Sequence, residues 1–440
     1  MNNKKWMAIL LGGIMAASLA APCSVSAAEK TTLTFWHAMG GTNGEVLQQI
    51  VDDFNASQDE IEVKAEYQGT YDDTITKLKA AMQSDSGLPD VCQMYDVGTK
   101  FMYDSGAVIP VEDKFESTGY DKSSVMEVIS SYYTVDGKQY AMPFNVSTPM
   151  LYYNKDVFEA AGLDPETPPT TYDEVLEDAK KIVDSGAAPV GYSQAIYGWF
   201  FEQQLAGLGV TYGNNDNGRK EAVTAVDFDS NGGGLKVFDM WKKLYDSGCF
   251  EDYGTTTADT QTAFFSGQVG MIIESTAILK NAVDSSPFEV GTGYLPRIEQ
   301  NDEGGVIIGG GSLWLTDTGN EANEDAGWKF IEYITTPDVQ AKWSMGTGYF
   351  AINEKAYETE DMKAYLKENP NFETAINQLK DSPVNCNTAG VLSGVQTEAR
   401  LTFNEIMPQV YDGKLTTQDA VDQLAASVNK AIENYNESIK

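Results

Sequence analysis

From residue 31 onward the apolar positions follow a repeating strand–helix rhythm. Residues 33–36 read as a strand, 37–44 as a glycine-rich loop and 45–55 as a helix. Ile61, Val63 and Ala65 alternate onto one face of a second strand that ends at Tyr67. Over 71–84, Ile75, Leu78, Ala81 and Met82 recur at helical spacing, and 91–95 reads as a third strand. This alternation predicts an open α/β sheet, in which ligands lie beyond the C-terminal ends of the strands. Two loops fall at such ends, 36–44 and 95–98.

The pattern changes over 142–174. Val146, Met150, Leu151, Tyr152 and Tyr153 have strand composition, but Asn145, Ser147 and Thr148 interrupt the run near its start. A strand crossing between two lobes, with small hydroxyls facing a cleft, would look like this. Val157, Phe158 and Ala161 mark a short helix closed by Gly162. A Pro-rich turn then leads to a helix capped by Thr170 or Thr171, with Asp173 and Glu174 in its first turn. Residues 271–273 and 306–308 are predicted as short buried strands, each running into small polar residues: Glu274-Ser275-Thr276 and Gly309-Gly310-Gly311-Ser312. Residues 214–218 and 231–234 read as surface loops. Beyond about residue 360 the chain is mostly helical, with an amphipathic run over 417–432.

At 440 residues the chain exceeds one ordinary core, so two domains are expected. Residues 1–28 read as a secretion signal, with Lys4 and Lys5 before an apolar core and small residues at 24–28. No later segment is long and apolar enough to span a membrane, so the mature protein is expected to be soluble and extracytoplasmic. Cys23 adds the alternative of a lipid-anchored N-terminus, although Pro22 stands where such signals want a small residue. Cys92, Cys249 and Cys386 are odd in number and fit buried thiols better than a disulfide framework or a zinc site. The net charge of −35 excludes a general nucleic-acid role, which needs a basic face, and favours a soluble monomer. Only three arginines occur, Arg219, Arg297 and Arg400, so any of them in a pocket would be conspicuous.

The usual signatures of turnover are missing. His37 is the sole histidine, and G-x-S-x-G, H-E-x-x-H and Walker A patterns do not occur. His37, at a strand end, has a packing reading and a ligand-contact reading. Residues 214–218 resemble a calcium loop only faintly, without its first Asp and last Glu. No metal and no cofactor are expected. With 65 acidic residues a carboxylate-dependent hydrolase stays formally open, without positive support. Binding without turnover is favoured.

Six blocks, in order along the chain, carry a resemblance: TTLTFWHAMGG (31–41), YQGTYDDTITKLKAAMQSDSGLPDV (67–91), QMYDVGT (93–99), PFNVSTPMLYYNKD (143–156), IIGGGSLWL (307–315) and GTGYFAINEKAYE (346–358). Together they resemble the family-1 solute-binding proteins of ABC importers, and within them the glycerophosphate-binding branch. The resemblance implies an α/β, two-lobe periplasmic-binding-protein fold of type II, with hinge strands joining the lobes. Lobe 1 would be 29–145 with 309–360, and lobe 2 would be 146–308 with 361–440. It implies docking of the liganded form onto membrane permease subunits. It also implies ligand contacts at Tyr71, Asp96, Ser147, Ser275, Gly310, Tyr349 and Arg400. Asp96 stands where the glycerophosphate branch has Glu. The family tryptophan that covers the glycerol aligns with Ile196, while a nearby one is kept as Trp199.

The set makes chemical sense in its own right. A phosphate wants an arginine fork, hydroxyls and backbone N–H groups. Gly310 would let the backbone approach an anion closely, and Asp96 would accept hydrogen bonds from glycerol hydroxyls. Duller readings stay open: the tyrosines and Trp199 pack a lobe, the serines cap turns, Asp96 serves a turn, and Arg400 pairs with Glu398 or Glu405. Asp for Glu and Ile for Trp both enlarge the pocket, which points to a glycerophosphodiester such as glycerophosphocholine, with free glycerol-3-phosphate weaker. An oligosaccharide ligand is the alternative, suggested by the abundant Tyr and Trp.

Overall fold

A computed structural model describes residues 30–84 and 87–439. The predicted signal at 1–28, with Cys23, lies outside the described residues. Twelve strands occur in chain order among them. The first seven are β1 (Thr31–His37), β2 (Ile61–Tyr67), β3 (Val91–Tyr95), β4 (Val108–Ile109), β5 (Thr134–Val135), β6 (Lys138–Gln139) and β7 (Met142–Ser147). The remainder are β8 (Pro149–Asn154), β9 (Val190–Ser193), β10 (Val269–Ser275), β11 (Val290–Gly293) and β12 (Gly309–Thr316). One sheet has the order β2-β1-β3-β12-β4, with β7 also on β12, and the second has the order β11-β8-β10-β9. The β1–β2 and β1–β3 pairs are parallel, as the strand–helix alternation predicts, and β12 inserts antiparallel to β3.

The apolar run near residue 150 is two strands in different sheets. β7 ends at Ser147 in the first sheet and β8 begins at Pro149 in the second, leaving buried Thr148 alone to carry the chain across. Two bonds fix the crossing: Thr148 N–H donates to Thr276 Oγ1 at 3.1 Å, and Thr276 N–H donates to Thr148 O at 2.8 Å. Gln378, on the helix Asn371–Asp381, donates to Pro149 O at 2.7 Å from the other side. Along β8 the side chains alternate between two cores. Met150 and Tyr152 join the cluster built on Phe35, Trp314 and Phe330, whereas Leu151 and Tyr153 join the one built on Phe201, Trp241 and Phe403.

Several local expectations need correction. Val306, Ile307 and Ile308 are buried but form no strand, because side chains satisfy their backbone in place of a neighbouring strand. Ile307 exchanges two 2.8 Å bonds with the Gln203 amide, and Val306 N–H donates to Ser382 Oγ at 3.1 Å. The strand is instead the glycine segment itself, β12. The loop predicted over 37–44 is shorter, since the helix Gly41–Ser57 starts early. Residues 214–218 are no ordinary surface loop: Asn215, Asp216 and Asn217 have φ of 57°, 55° and 58°, a left-handed turn that Asn and Asp tolerate best. Asn217 is buried, and its side-chain oxygen accepts the N–H groups of Tyr212 and Gly213. Residues 231–234 run into the helix Gly233–Tyr245, with both of its first glycines buried. All three described cysteines are free, and Cys386 is only half-buried.

Candidate functional site

The first sheet presents tyrosines to the space beyond β3. The helix Tyr71–Met82 starts at a capping box: Thr70 Oγ1 accepts the Asp73 N–H at 3.1 Å, and Asp73 Oδ2 accepts the Thr70 N–H at 2.9 Å. That cap aims Tyr71 at Tyr95, whose ring stacks on it with centroids 5.1 Å apart. A relay of amides fixes the Tyr71 hydroxyl. Ala38 N–H donates to Gln93 Oε1 (2.8 Å), Gln93 Nε2 to Asn145 Oδ1 (2.7 Å), and Asn145 Nδ2 to the Tyr71 oxygen (2.6 Å). Tyr349 stacks on Trp343 and lies against Tyr71 and Asn145. Burial raises the pKa of both phenols, so they remain donors at neutral pH.

The second sheet supplies charge. The helix Gly198–Gly207 carries Glu202, and the helix Gln396–Tyr411 carries Arg400. They pack closely because residue 198 has no side chain: a Cβ there would lie 2.5 Å from Arg400 Cα. Glu202 takes Arg400 side-on, accepting from Nε at 2.8 Å and from Nη2 at 2.7 Å, and it accepts a further bond from Gln396 at 2.9 Å. Arg400 Nη2 also donates to Asp96 Oδ2 at 2.7 Å, a bond from the second sheet's helices to the turn after β3. Beside it, Tyr95 and Thr397 share a hydroxyl–hydroxyl bond of 2.8 Å. All three charged groups are buried: Arg400 is 7 % exposed, Asp96 5 % and Glu202 7 %. Burial lowers the Arg400 pKa, but the charges of Asp96 and Glu202 outweigh it and keep the guanidinium firmly protonated. Burial pushes the Glu202 carboxyl up, against the pull of Arg400.

Eight of the nine sequence-derived candidates surround one cavity of about 240 Å³: Tyr71, Asp96, Ser147, Trp199, Ser275, Gly310, Tyr349 and Arg400. Ile196 does not line it. That residue is fully buried in the apolar core with Trp199 and Phe200, because its position precedes the helix that turns Trp199 inward. Gly310 has φ +90°, and a Cβ there would come within 1.9 Å of Asn145 O. Glycine is therefore demanded by the passing of β7 and β12, a different reason from close approach to an anion. Ser275 Oγ caps the turn after β10 by accepting the Ala277 N–H at 3.1 Å, which leaves its own hydrogen for the cavity. Arg400 pairs with neither Glu398 nor Glu405, both exposed on its helix.

Three donors at this cavity have no partner among the described residues: Arg400 Nη1, the buried Trp199 indole N–H, and the Ser147 hydroxyl. Two or more converging donors without acceptors want an oxyanion or hydroxyl oxygen. Sequence reasoning missed Glu202, Tyr95, Tyr197, Gln261 and Glu274. Glu202 sits in an apolar helix with no motif around it, and Glu274 was visible only as a polar residue ending a strand.

The other singled-out residues lie apart. Buried His37 accepts the Met39 N–H at Nδ1 (3.3 Å) between the rings of Phe35 and Tyr67, and burial lowers its pKa to about 4. The Arg219 guanidinium is held by the carbonyls of Tyr132, Ala389 and Gly390, a structural role. Arg297 is exposed. Among the described residues no cluster of ligating side chains could hold a metal. Larger hollows of about 970, 660 and 580 Å³ lie elsewhere. The smaller one is the candidate because it gathers buried, opposite charges from both sheets at strand ends.

A family model described as bacterial extracellular solute-binding protein matches residues 49–374. The sn-glycerol-3-phosphate-binding periplasmic protein UgpB of Escherichia coli K12 is 30% identical over 417 residues, 93% of this chain and 94% of that one. Among solved structures, UgpB from Mycobacterium tuberculosis in complex with glycerophosphocholine superposes with a TM-score of 0.79 at 20% identity, over 93% of this chain and 100% of that one. The cyclic alpha-maltosyl-1,6-maltose binding protein from Arthrobacter globiformis gives 0.76 at 26%, over 92% and 100%. The fold is thus the two-lobe, type II periplasmic-binding-protein fold, and the relatives are binding proteins, not enzymes.

Proposed function

The chain belongs to the bacterial extracellular solute-binding proteins, and from that premise we propose that its solute is a glycerophosphodiester, held between the two sheets, with glycerophosphocholine preferred over glycerol-3-phosphate. The protein is the solute-binding component of an ABC importer and is not an enzyme. Among the described residues no helix is long and apolar enough to cross a membrane.

What supports the reading is Arg400. Its guanidinium is fixed by Glu202 while Nη1 stays free at a cavity that also carries the unpartnered Trp199 N–H and Ser147 hydroxyl. A phosphoryl oxygen would take Nη1 and the indole N–H; Ser275 and Tyr349 would supply further donors. The glycerol hydroxyls would donate to Asp96. Charge then selects the diester. Asp96 and Glu202 already outnumber Arg400, so a monoanion is better tolerated than a dianionic phosphomonoester. Ligand contacts to both sheets would favour the closed arrangement, which permease subunits would meet. The division expected from the sequence, 29–145 with 309–360 and 146–308 with 361–440, would split β7, which stays in the first sheet as far as Ser147. We therefore assign the crossing to Thr148 and the moving units to residues 30–147 with 309–360, and 149–308 with 361–439.

A second reading rests on a separate observation. Tyr71, Tyr95, Tyr197, Trp199 and Tyr349 line the cavity along with more carboxylates than cations, a surface that also suits sugar hydroxyls. Calorimetric titration with glycerophosphocholine, glycerol-3-phosphate and maltose, on wild type and Arg400→Lys, separates them. The phosphodiester reading expects glycerophosphocholine to bind best and to weaken on substitution. Tight maltose binding that is indifferent to Arg400→Lys would establish the sugar reading instead.

A further inference from the structure

We propose that Glu274, with the rings of Tyr197 and Trp199, forms a subsite in this cavity for a cationic group of the ligand, a quaternary or primary ammonium attached beyond its phosphoryl group. This rests on the phosphodiester reading above. Glu274, the penultimate residue of β10, lies on the cavity wall and is 4 % exposed. Its oxygens accept two neutral donors, Ser275 N–H at 2.6 Å and Gln261 Nε2 at 2.9 Å. Asp96 and Glu202 share Arg400, but among the described residues no Lys, Arg or His pairs with Glu274.

A buried carboxylate with only amide partners is an unbalanced charge. Burial accordingly pushes its pKa up, against the pull of Gln261 and the Ser275 N–H. A cation alongside would restore the balance. The neighbouring walls are aromatic. Tyr197 and Trp199 have ring centroids 6.2 Å apart, and the Glu274 charge bears on the Tyr197 phenol. The Tyr197 ring already takes the Arg400 guanidinium at 5.9 Å, so its face is suited to a cation. With a zwitterionic ligand each added charge finds its opposite: phosphoryl against Arg400, ammonium against Glu274.

The test compares glycerophosphocholine and glycerophosphoethanolamine, which carry a cation, with glycerophosphoglycerol, which does not. Calorimetry on wild type is expected to favour the cationic head groups by about tenfold or more, of the order a desolvated cation–aromatic contact supplies. Glu274→Gln keeps the shape and removes the charge; it should weaken glycerophosphocholine several-fold more than glycerophosphoglycerol. Equal affinity of wild type for all three would overturn the subsite while leaving the phosphoryl site standing, as would a Glu274→Gln variant that weakens all three alike. If no phosphodiester binds wild type, the underlying reading fails and the subsite with it. The wild-type comparison decides even if the variant folds poorly.

Discussion

At the level of single residues, one buried guanidinium is shared between two carboxylates, Asp96 and Glu202. Arg400 could be suspected from sequence because arginine is so scarce in this chain. Its partner could not: Glu202 is one of 65 acidic residues, and only the fold brings its helix against that of Arg400. The guanidinium and its orienting carboxylate predict unequal consequences. Arg400→Ala leaves Asp96 and Glu202 buried and facing each other without a cation, and is expected to cost about 3–5 kcal/mol in denaturant unfolding. Glu202→Gln removes a buried charge and keeps an oxygen for one N–H of Arg400, so it should cost clearly less while loosening the guanidinium and weakening ligand. Should Glu202→Gln unfold as early as Arg400→Ala, the carboxylate would be a structural keystone and not an orienting partner.

The elements that matter most are β7, β8 and β12. The polar break at 145–148 marked the crossing in the sequence, because a run that changes sheets cannot stay apolar where it leaves both. The glycine segment misled for a related reason. Val306–Ile308 look like a strand by composition, yet Gln203 and Ser382 occupy their backbone groups, and the pairing falls to Gly309–Thr316. Periodicity reports burial and does not say which groups satisfy the backbone. The constraint on this strand is testable. Gly310→Ala would add a Cβ to a residue at φ +90° and drive it toward Asn145 O. The expected cost is about 2 kcal/mol or more, and displacement of Asn145 would release the Tyr71 hydroxyl and lower ligand affinity. A Gly310→Ala protein with unchanged melting temperature and affinity would refute the close passing of β7 and β12.

Over the whole molecule, strand–helix alternation, the mostly helical C-terminal part and the glycerophosphate-type motifs made the architecture legible early, whereas the chemistry of the cleft needed three dimensions. His37 shows how little a lone histidine says by itself: its packing reading prevails, between Phe35 and Tyr67. It also makes stability depend on pH. Its folded pKa, near 4, lies below the ordinary value of 6.5, so the unfolded chain takes up the proton first. Its contribution is complete above about pH 6.5 and is lost as pH falls toward 4, on the order of 1–3 kcal/mol. Melting curves between pH 7 and 4 should show this loss reduced in His37→Gln. An identical acid profile for the two proteins would assign the loss to the carboxylates alone.

The most direct test of the capture of a phosphodiester by Arg400 is a crystal structure of the protein with glycerophosphocholine. It is expected to place a phosphoryl oxygen within hydrogen-bond distance of Arg400 Nη1 and Trp199 Nε1, with Glu202 still holding the far side of the guanidinium. A bound ligand whose phosphoryl group lies away from both, with Arg400 touching only Asp96 and Glu202, would contradict it.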